Sequence, residues 1–298
     1  MKDSPASKSV KLNQDLHGQP FANEWNYRSV IGKLNFLEKS TLCDISYAVH
    51  QAVRFASNPR QSHATAVKRI VKYLLKTRDK GLIMNPQQHS FDCWVDADFV
   101  GNWDKVNADV DPSTAKSRTG FILMYGGCPL VWSSKLQREI ALSTTEAEYN
   151  TLSESLRHVI HLMALTDEAK RIGWTVTDKP PAVHCKVFED NSGAVEWSRL
   201  PKMRPRTKHL CVKMHHCREH LRLGKISNHK VPTAFQLADK ATKAQPAVLY
   251  ESQRESIMQW DTELMSIELL LLPAMHLRGC EIIDRLPLLL EHAGAVGI

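Results

Sequence analysis

The sequence predicts an α/β chain: a mixed five-stranded sheet flanked by helices, preceded by a mainly helical region. Three observations carry this expectation. Apolar residues recur at helical spacing over residues 25–88. From residue 90 the rhythm changes to period two. Beyond that point strand-like and helix-like stretches follow in the order β, β-hairpin, α, β, α, α, β, α, which is the pattern of a sheet with helices laid on it.

Residues 1–24 are polar and are expected to form a flexible N-terminal segment. In the helical region, "HATAVKRIVKYLLKTRDKG" sets Ala64, Val67, Ile70, Val71 and Leu74 on one face. Lys68, Arg69, Lys72, Lys76 and Arg78 occupy the other. That basic face is either a solvated helix surface or a stripe that tracks phosphates. "FDCWVDADFV" alternates Phe91, Cys93, Val95, Ala97 and Phe99 against Asp92, Trp94, Asp96 and Asp98, a strand. "RTGFILMYGGCPLVWSS" reads as two strands around Gly126-Gly127, a hairpin. A helix over 145–164 follows, with Leu152, Leu156, Val159, Ile160 and Met163 at buried spacing. "AVHCKVFED" is a strand and "NSGAVEWSRL" begins a helix. A basic, His-rich helix is expected over 206–223, "KISNHKV" is the last strand, and "TAFQLADKATK" a closing helix. Residues 250–298 are Leu-rich without turn chemistry, an unassigned tail expected to be dispensable.

With 43% apolar and 24% charged residues in a chain of 298, a packed core is within reach and wholesale disorder is excluded. The net charge of +7 suits a polyanionic partner, nucleic acid foremost. The cysteines number seven, an odd count without a C-x-x-C pair, which points to reduced intracellular thiols. Cys211, His215, His216 and Cys217 cluster, but their spacing fits no common zinc finger and a second ligand pair is missing. The start, "MKDSPASKSVKLNQ", lacks the apolar core of a signal peptide. "LLLLPAMHL" is too short to span a bilayer and contains Pro273, so no membrane partner is expected.

Carboxylates recur where elements begin and end. Asp96 lies within the first strand, Glu148 in the first turns of the long helix, Asp190 where the fourth strand meets its helix, and Asp239 in the closing helix. If the first and fourth strands are neighbours, Asp96 and Asp190 sit side by side and the helix above can add Glu148. Clustered carboxylates repel unless protonated or neutralised. Oxygen-only ligands suit Mg²⁺ or Mn²⁺, and two such ions form the clamp used for in-line phosphodiester cleavage. At about 100° per residue, Glu148 lies about 50° from the centre of the helix's buried face and Glu146 about 110° from it. Glu148 is therefore the expected ligand, and Glu146 a solvent-facing carboxylate that complements the helix dipole.

"YRSVIGKLNFL", "FASNPRQSHATAVKRIVKYLLKT", "WVDADFVGN", "KSRTGFILMYGGCPLVWSSKLQREIALSTTEAEY", "EDNSGAV", "RTKHL", "HHCREHL" and "QLADKATK" follow one another along the chain. In order and wording they resemble the C-terminal part of the Pol polyprotein of copia-type LTR retrotransposons. Residues 25–88 resemble the region linking polymerase to nuclease, and residues 90–244 its ribonuclease H domain. The resemblance implies a ribonuclease H fold and hydrolysis of the RNA strand of RNA–DNA hybrids with two Mg²⁺ or Mn²⁺ ions. It also implies the rest of the Pol polyprotein, polymerase and integrase, as partners, in a virus-like particle or the nucleus. Carried over residue by residue, Asp96, Glu148, Asp190 and Asp239 match the catalytic, metal-holding carboxylates. Lys240-Ala241 departs from the usual apolar pair after the last of these. No Asp-Asp pair occurs in the chain, so the polymerase motif has no counterpart and DNA synthesis is not expected.

Two patches are candidates for holding nucleic acid: Lys68, Arg69 and Lys72 on the helical region, and Arg204, Arg206, Lys208, Lys213 and Arg218 in the basic segment. Two other readings remain open on sequence alone: a decayed element that binds nucleic acid without cleaving it, and an integrase-like polynucleotidyl transferase.

Overall fold

The computed structural model describes residues 3–86, 88–174, 183–199 and 211–260. The helices are α1 (Tyr27–Ser40), α2 (Ser46–Val53), α3 (Gln61–Lys76), α4 (Thr144–Arg171), α5 (Ser192–Arg199), α6 (Cys211–Arg222), α7 (Asp239–Thr242) and α8 (Ala247–Met258). The strands are β1 (Phe91–Asp98), β2 (Arg118–Tyr125), β3 (Cys128–Leu136), β4 (Cys185–Glu189) and β5 (Ile226–Lys230). The chain forms two compact units: Met1–Ile83 with Lys243–Ile298, and Met84–Thr242.

The first unit is helical. Asn26 caps α1 by accepting from the Ser29 N–H at 2.9 Å, which satisfies one of the orphan donors of the first turn. Val30, Ile31, Leu34 and Leu37 of α1 are buried. In α3 the expected face of Ala64, Val67, Ile70, Val71 and Leu74 is the buried one. Two expectations change here. The N-terminal segment is tied down, because His63 Nε2 meets the Asn13 carbonyl at 2.7 Å and Arg69 Nε donates to the Ser4 carbonyl at 3.0 Å. The tail is not wholly apart either. Within this unit α8 buries Tyr250, Arg254, Ile257 and Met258, and Trp260 follows it into the core. The Tyr250 hydroxyl donates to the Asp44 carbonyl at 2.8 Å, and the Arg254 guanidinium lies 4.7 Å from the Trp260 ring. A Leu-rich composition hid this contact, because none of the residues that make it is a leucine. Residues 261–298 lie outside the described part.

The second unit holds the expected sheet, ordered β3-β2-β1-β4-β5. β1, β2 and β3 are antiparallel neighbours; β4 runs parallel to both β1 and β5. Gly126 and Gly127 both take positive φ (57° and 88°), as a two-residue primed turn demands. α4 covers one face and buries Leu152, Leu156, Val159 and Met163 against Cys93, Val95, Phe121 and Leu123. It is longer than its apolar stripe indicates, since its last turns run on to Arg171. The closing helix is shorter than expected. A 3-10 turn over Thr233–Phe235 ends at Gln236, whose extended backbone (φ −74°, ψ 102°) breaks the run before α7.

Candidate metal centre

The central strand pair opens where the carboxylates fall. β1 and β4 pair from Phe91↔Cys185 to Trp94↔Phe188, and there the ladder ends. Asp96 comes two residues later in β1, and Asp190 two residues later in the other strand's path. α4 crosses above with Glu148 in its second turn. One carboxylate oxygen from each of Asp96, Glu148 and Asp190 lies within 4.8 Å of the others. Asp96 is 2% exposed and Glu148 is likewise buried, so neither charge is dispersed by bulk water.

Glu148 shows what this costs. Burial holds its carboxyl well above the usual carboxylate range, and the charges of Glu189, Asp96 and Asp190 push the same way. A bond from the Ala97 N–H opposes them. Its Oε2 is enclosed and has no hydrogen-bond partner. A buried acceptor left so is expensive unless a cation completes it. The donor set is oxygen only and the orphaned oxygen belongs to one of its three residues, so these residues fit a hard divalent ion.

Three of the four expected carboxylates are thus brought together. Asp239 is buried at the start of α7 but stands outside that group. Sequence reading missed Glu189, which is fully enclosed in β4. Its Oε1 accepts from the Asn191 N–H at 2.9 Å and its Oε2 has no hydrogen-bond partner. Burial foremost holds it well above the ordinary range, with the charges of Asp96 and Asp190 adding to the effect against the Asn191 bond. Strand parity was the available signal: Cys185, Val187 and Glu189 share the inward face. Glu146 also differs from expectation. It is buried and accepts from the Leu142 N–H at 3.0 Å while its own N–H donates to Ser143 Oγ at 3.2 Å, a cap on the start of α4.

The basic residues are partly engaged within the chain. Lys68 pairs with Glu24 at 3.3 Å and Arg69 holds Ser4, whereas Lys72 is exposed. Lys213 reaches Glu139 at 3.1 Å and Asn150 Oδ1 at 2.9 Å, and Arg218 donates to the Trp197 carbonyl at 3.1 Å. Arg204, Arg206 and Lys208 lie outside the described residues. Cys217 is a core residue whose thiol burial pushes up to about 11, and among the described residues the only group arranged for a metal is the carboxylate one.

No family model matches the chain. It is 32% identical over 241 residues to the retrovirus-related Pol polyprotein from transposon RE1 of Arabidopsis thaliana, covering 80% of this chain and 15% of that protein. It is 32% identical over 259 residues to the corresponding polyprotein from transposon TNT 1-94 of Nicotiana tabacum, covering 85% of this chain and 18% of that one. The chain therefore spans less than a fifth of the length of these relatives. Among solved structures, a ribonuclease H1 isolated from compost by a metagenomic approach is similar with a TM-score of 0.35 at 17% identity, over 52% of this chain and 93% of that one.

Proposed function

We propose, from the premise that this chain belongs to the Pol polyproteins of copia-type retrotransposons, that its sheet unit hydrolyses the RNA strand of RNA–DNA hybrids with Mg²⁺ or Mn²⁺. The observation that supports this reading most is the trio Asp96, Glu148 and Asp190, with one carboxylate oxygen of each within 4.8 Å of the others and Glu148 Oε2 enclosed without a hydrogen-bond partner. These three would hold the ions, with Asp239 carried over as the fourth carboxylate of the family. Two bound ions supply an activated water and neutralise the charge that develops on the phosphate. The chain's own residues do the rest. Asp96, on a central strand, is held by the sheet on one side, where it pairs with Gly120 of β2, and lies just past the end of the β1–β4 ladder on the other. Glu148 is aimed by a helix whose start is capped by Ser143 and Glu146. Asp190, half-buried, accepts from Thr233 Oγ at 2.7 Å, which orients its carboxylate at the open side. Lys72, Lys213 and Arg218, together with Arg204, Arg206 and Lys208, are the proposed contacts to the hybrid's phosphates. The rest of the polyprotein is the proposed partner.

Labelled RNA–DNA hybrid, duplex RNA and duplex DNA, each with Mn²⁺ or with excess chelator, test this. The expected result is cleavage of the hybrid's RNA strand alone, lost in chelator and in Asp96→Asn. Equal cutting of duplex DNA, or full activity in chelator, overturns it.

A further inference from the structure

We propose that Thr242, Gln236 and Gly120 form a positioning clamp that fixes the Asp96 carboxylate and the strand gap beside it. The inference rests on the metal-dependent reading above and names residues outside its ligand set.

Three contacts meet at Asp96. The Thr242 hydroxyl donates to Asp96 Oδ2, and its oxygen also lies 3.1 Å from the Asp239 carbonyl. Gly120 lies directly across from Asp96 in the antiparallel register of β1 and β2. A Cβ on Gly120 would stand 2.5 Å from Thr242 Cγ2 and 2.9 Å from Ala241 Cβ, so the bare glycine is what lets α7 come down onto the sheet at this point. Gln236 supplies the third contact. Its Nε2 donates to the Val95 carbonyl at 2.9 Å and lies 3.5 Å from the Phe188 carbonyl, while its Oε1 accepts from the Ala238 N–H at 3.3 Å. Val95 precedes Asp96, and Phe188 precedes Glu189 and Asp190.

The β1–β4 ladder stops at Trp94↔Phe188. Beyond it, one buried amide is hydrogen-bonded to the backbone of both strands and sets how far they part. A side chain that spans a strand gap does what ladder bonds do elsewhere, and obliges the carboxylates after it to diverge by a fixed amount. Thr242 then holds Oδ2 of Asp96 and so restricts the rotamer in which this carboxylate meets the cluster. Groups that orient a ligand in this way typically matter about 10–100-fold in metal affinity. The break in the expected closing helix has its reason here: a continuous helix through Gln236 would turn its amide away from the strands.

Mn²⁺ titration of the full chain by calorimetry, with the melting temperature measured in chelator, tests the clamp using Thr242→Val, Thr242→Ser and Gln236→Met. Thr242→Val keeps the shape and removes the donor. The expected result is a Kd for Mn²⁺ weakened about 10–100-fold in Thr242→Val and restored within about threefold by Thr242→Ser, with chelator melting temperatures close to the parent's. Gln236→Met is expected to weaken Mn²⁺ binding as well. Unchanged Mn²⁺ affinity in Thr242→Val, or no recovery in Thr242→Ser, overturns the clamp and leaves the metal-dependent reading standing. A parent chain that binds no Mn²⁺ overturns both.

Discussion

Glu148 and Glu146 are two residues apart, both are buried, and they have different work. Glu148 sits in a cluster of like charge with an enclosed oxygen that has no hydrogen-bond partner. On the proposed reading, Glu148→Gln removes repulsion from the metal-free site and a ligand from the loaded one. The expected outcome is loss of hybrid cleavage with a melting temperature in chelator that is unchanged or raised. Glu146→Gln keeps an acceptor for the Leu142 N–H and is expected to cut hybrid at close to the parent rate. Glu146→Ala removes the acceptor for the Leu142 N–H and is expected to cost about 0.5–1.5 kcal/mol in denaturant melts. A reversed pattern between the two glutamines would show that the helix phase assigned to α4 is wrong. Glu189 belongs to the same scale. Because its carboxyl is enclosed beside the cluster, Glu189→Gln is expected to raise the metal-free melting temperature, a gain that differential scanning fluorimetry in chelator reads directly.

At the scale of elements, α3 and α8 decide whether the helical unit is sound. His63 in α3 is enclosed: its Nδ1 accepts from the Arg60 N–H at 2.9 Å, and its Nε2 meets the Asn13 carbonyl at 2.7 Å. This pair of bonds requires a neutral ring with the proton on Nε2. Burial lowers the ring's pKa below the usual 6.5, so the unfolded chain takes up a proton more readily than the folded one. Stability is then complete above the unfolded value and falls as the pH drops from about 6.5 towards the lowered folded value. Urea melts between pH 7.5 and 5.5 are expected to show a steeper loss for the parent than for His63→Gln. For α8, truncation at 249 removes Tyr250, Ile257, Met258 and Trp260, all buried. At roughly 1.5–3 kcal/mol for each large apolar side chain, cooperative melting of the helical unit is expected to be lost. Truncation at 260 keeps all four, and a cooperative transition that survives truncation at 249 would show that α8 contributes little.

On the scale of the whole molecule, the chain enters the sheet unit at residue 84 and leaves it at 242, while the helical unit is assembled from both ends. A fragment of residues 84–242 is therefore expected to fold alone with a cooperative melt, whereas residues 1–83 without α8 are not. Circular dichroism melts of the two fragments check this. The charge of +7 is spread unevenly in its use. Lys68 and Lys76 are paired with Glu24 and Asp3, and Arg69 is held by Ser4, so part of the basic face of α3 secures the N-terminal segment. Lys72→Glu is expected to weaken hybrid binding and flatten its salt dependence by about one contact, while Arg69→Glu is expected to lower stability first. An unchanged slope in Lys72→Glu returns that face to an ordinary solvated surface.

The sequence by itself determined the elements whose cause is local. Period-two alternation marked β1, a glycine pair marked the β2–β3 turn, and an apolar stripe marked α4 and the phase that puts Glu148 near the sheet. The carboxylates Asp96, Glu148 and Asp190 were legible because their type and order along the chain are informative even before their distances are known. What depends on pairing across the chain was decided only in three dimensions. The end of the β1–β4 ladder, the enclosure of Glu189, the bond from Thr242 to Asp96 and the docking of α8 each join residues far apart in the chain, and no local period records them. Gln236 is the plainest case: helix propensity favours continuing through it, but its amide is fully buried and donates to two strand carbonyls at 2.9 and 3.5 Å, and the helix gives way because a buried amide is costly to leave unpaired.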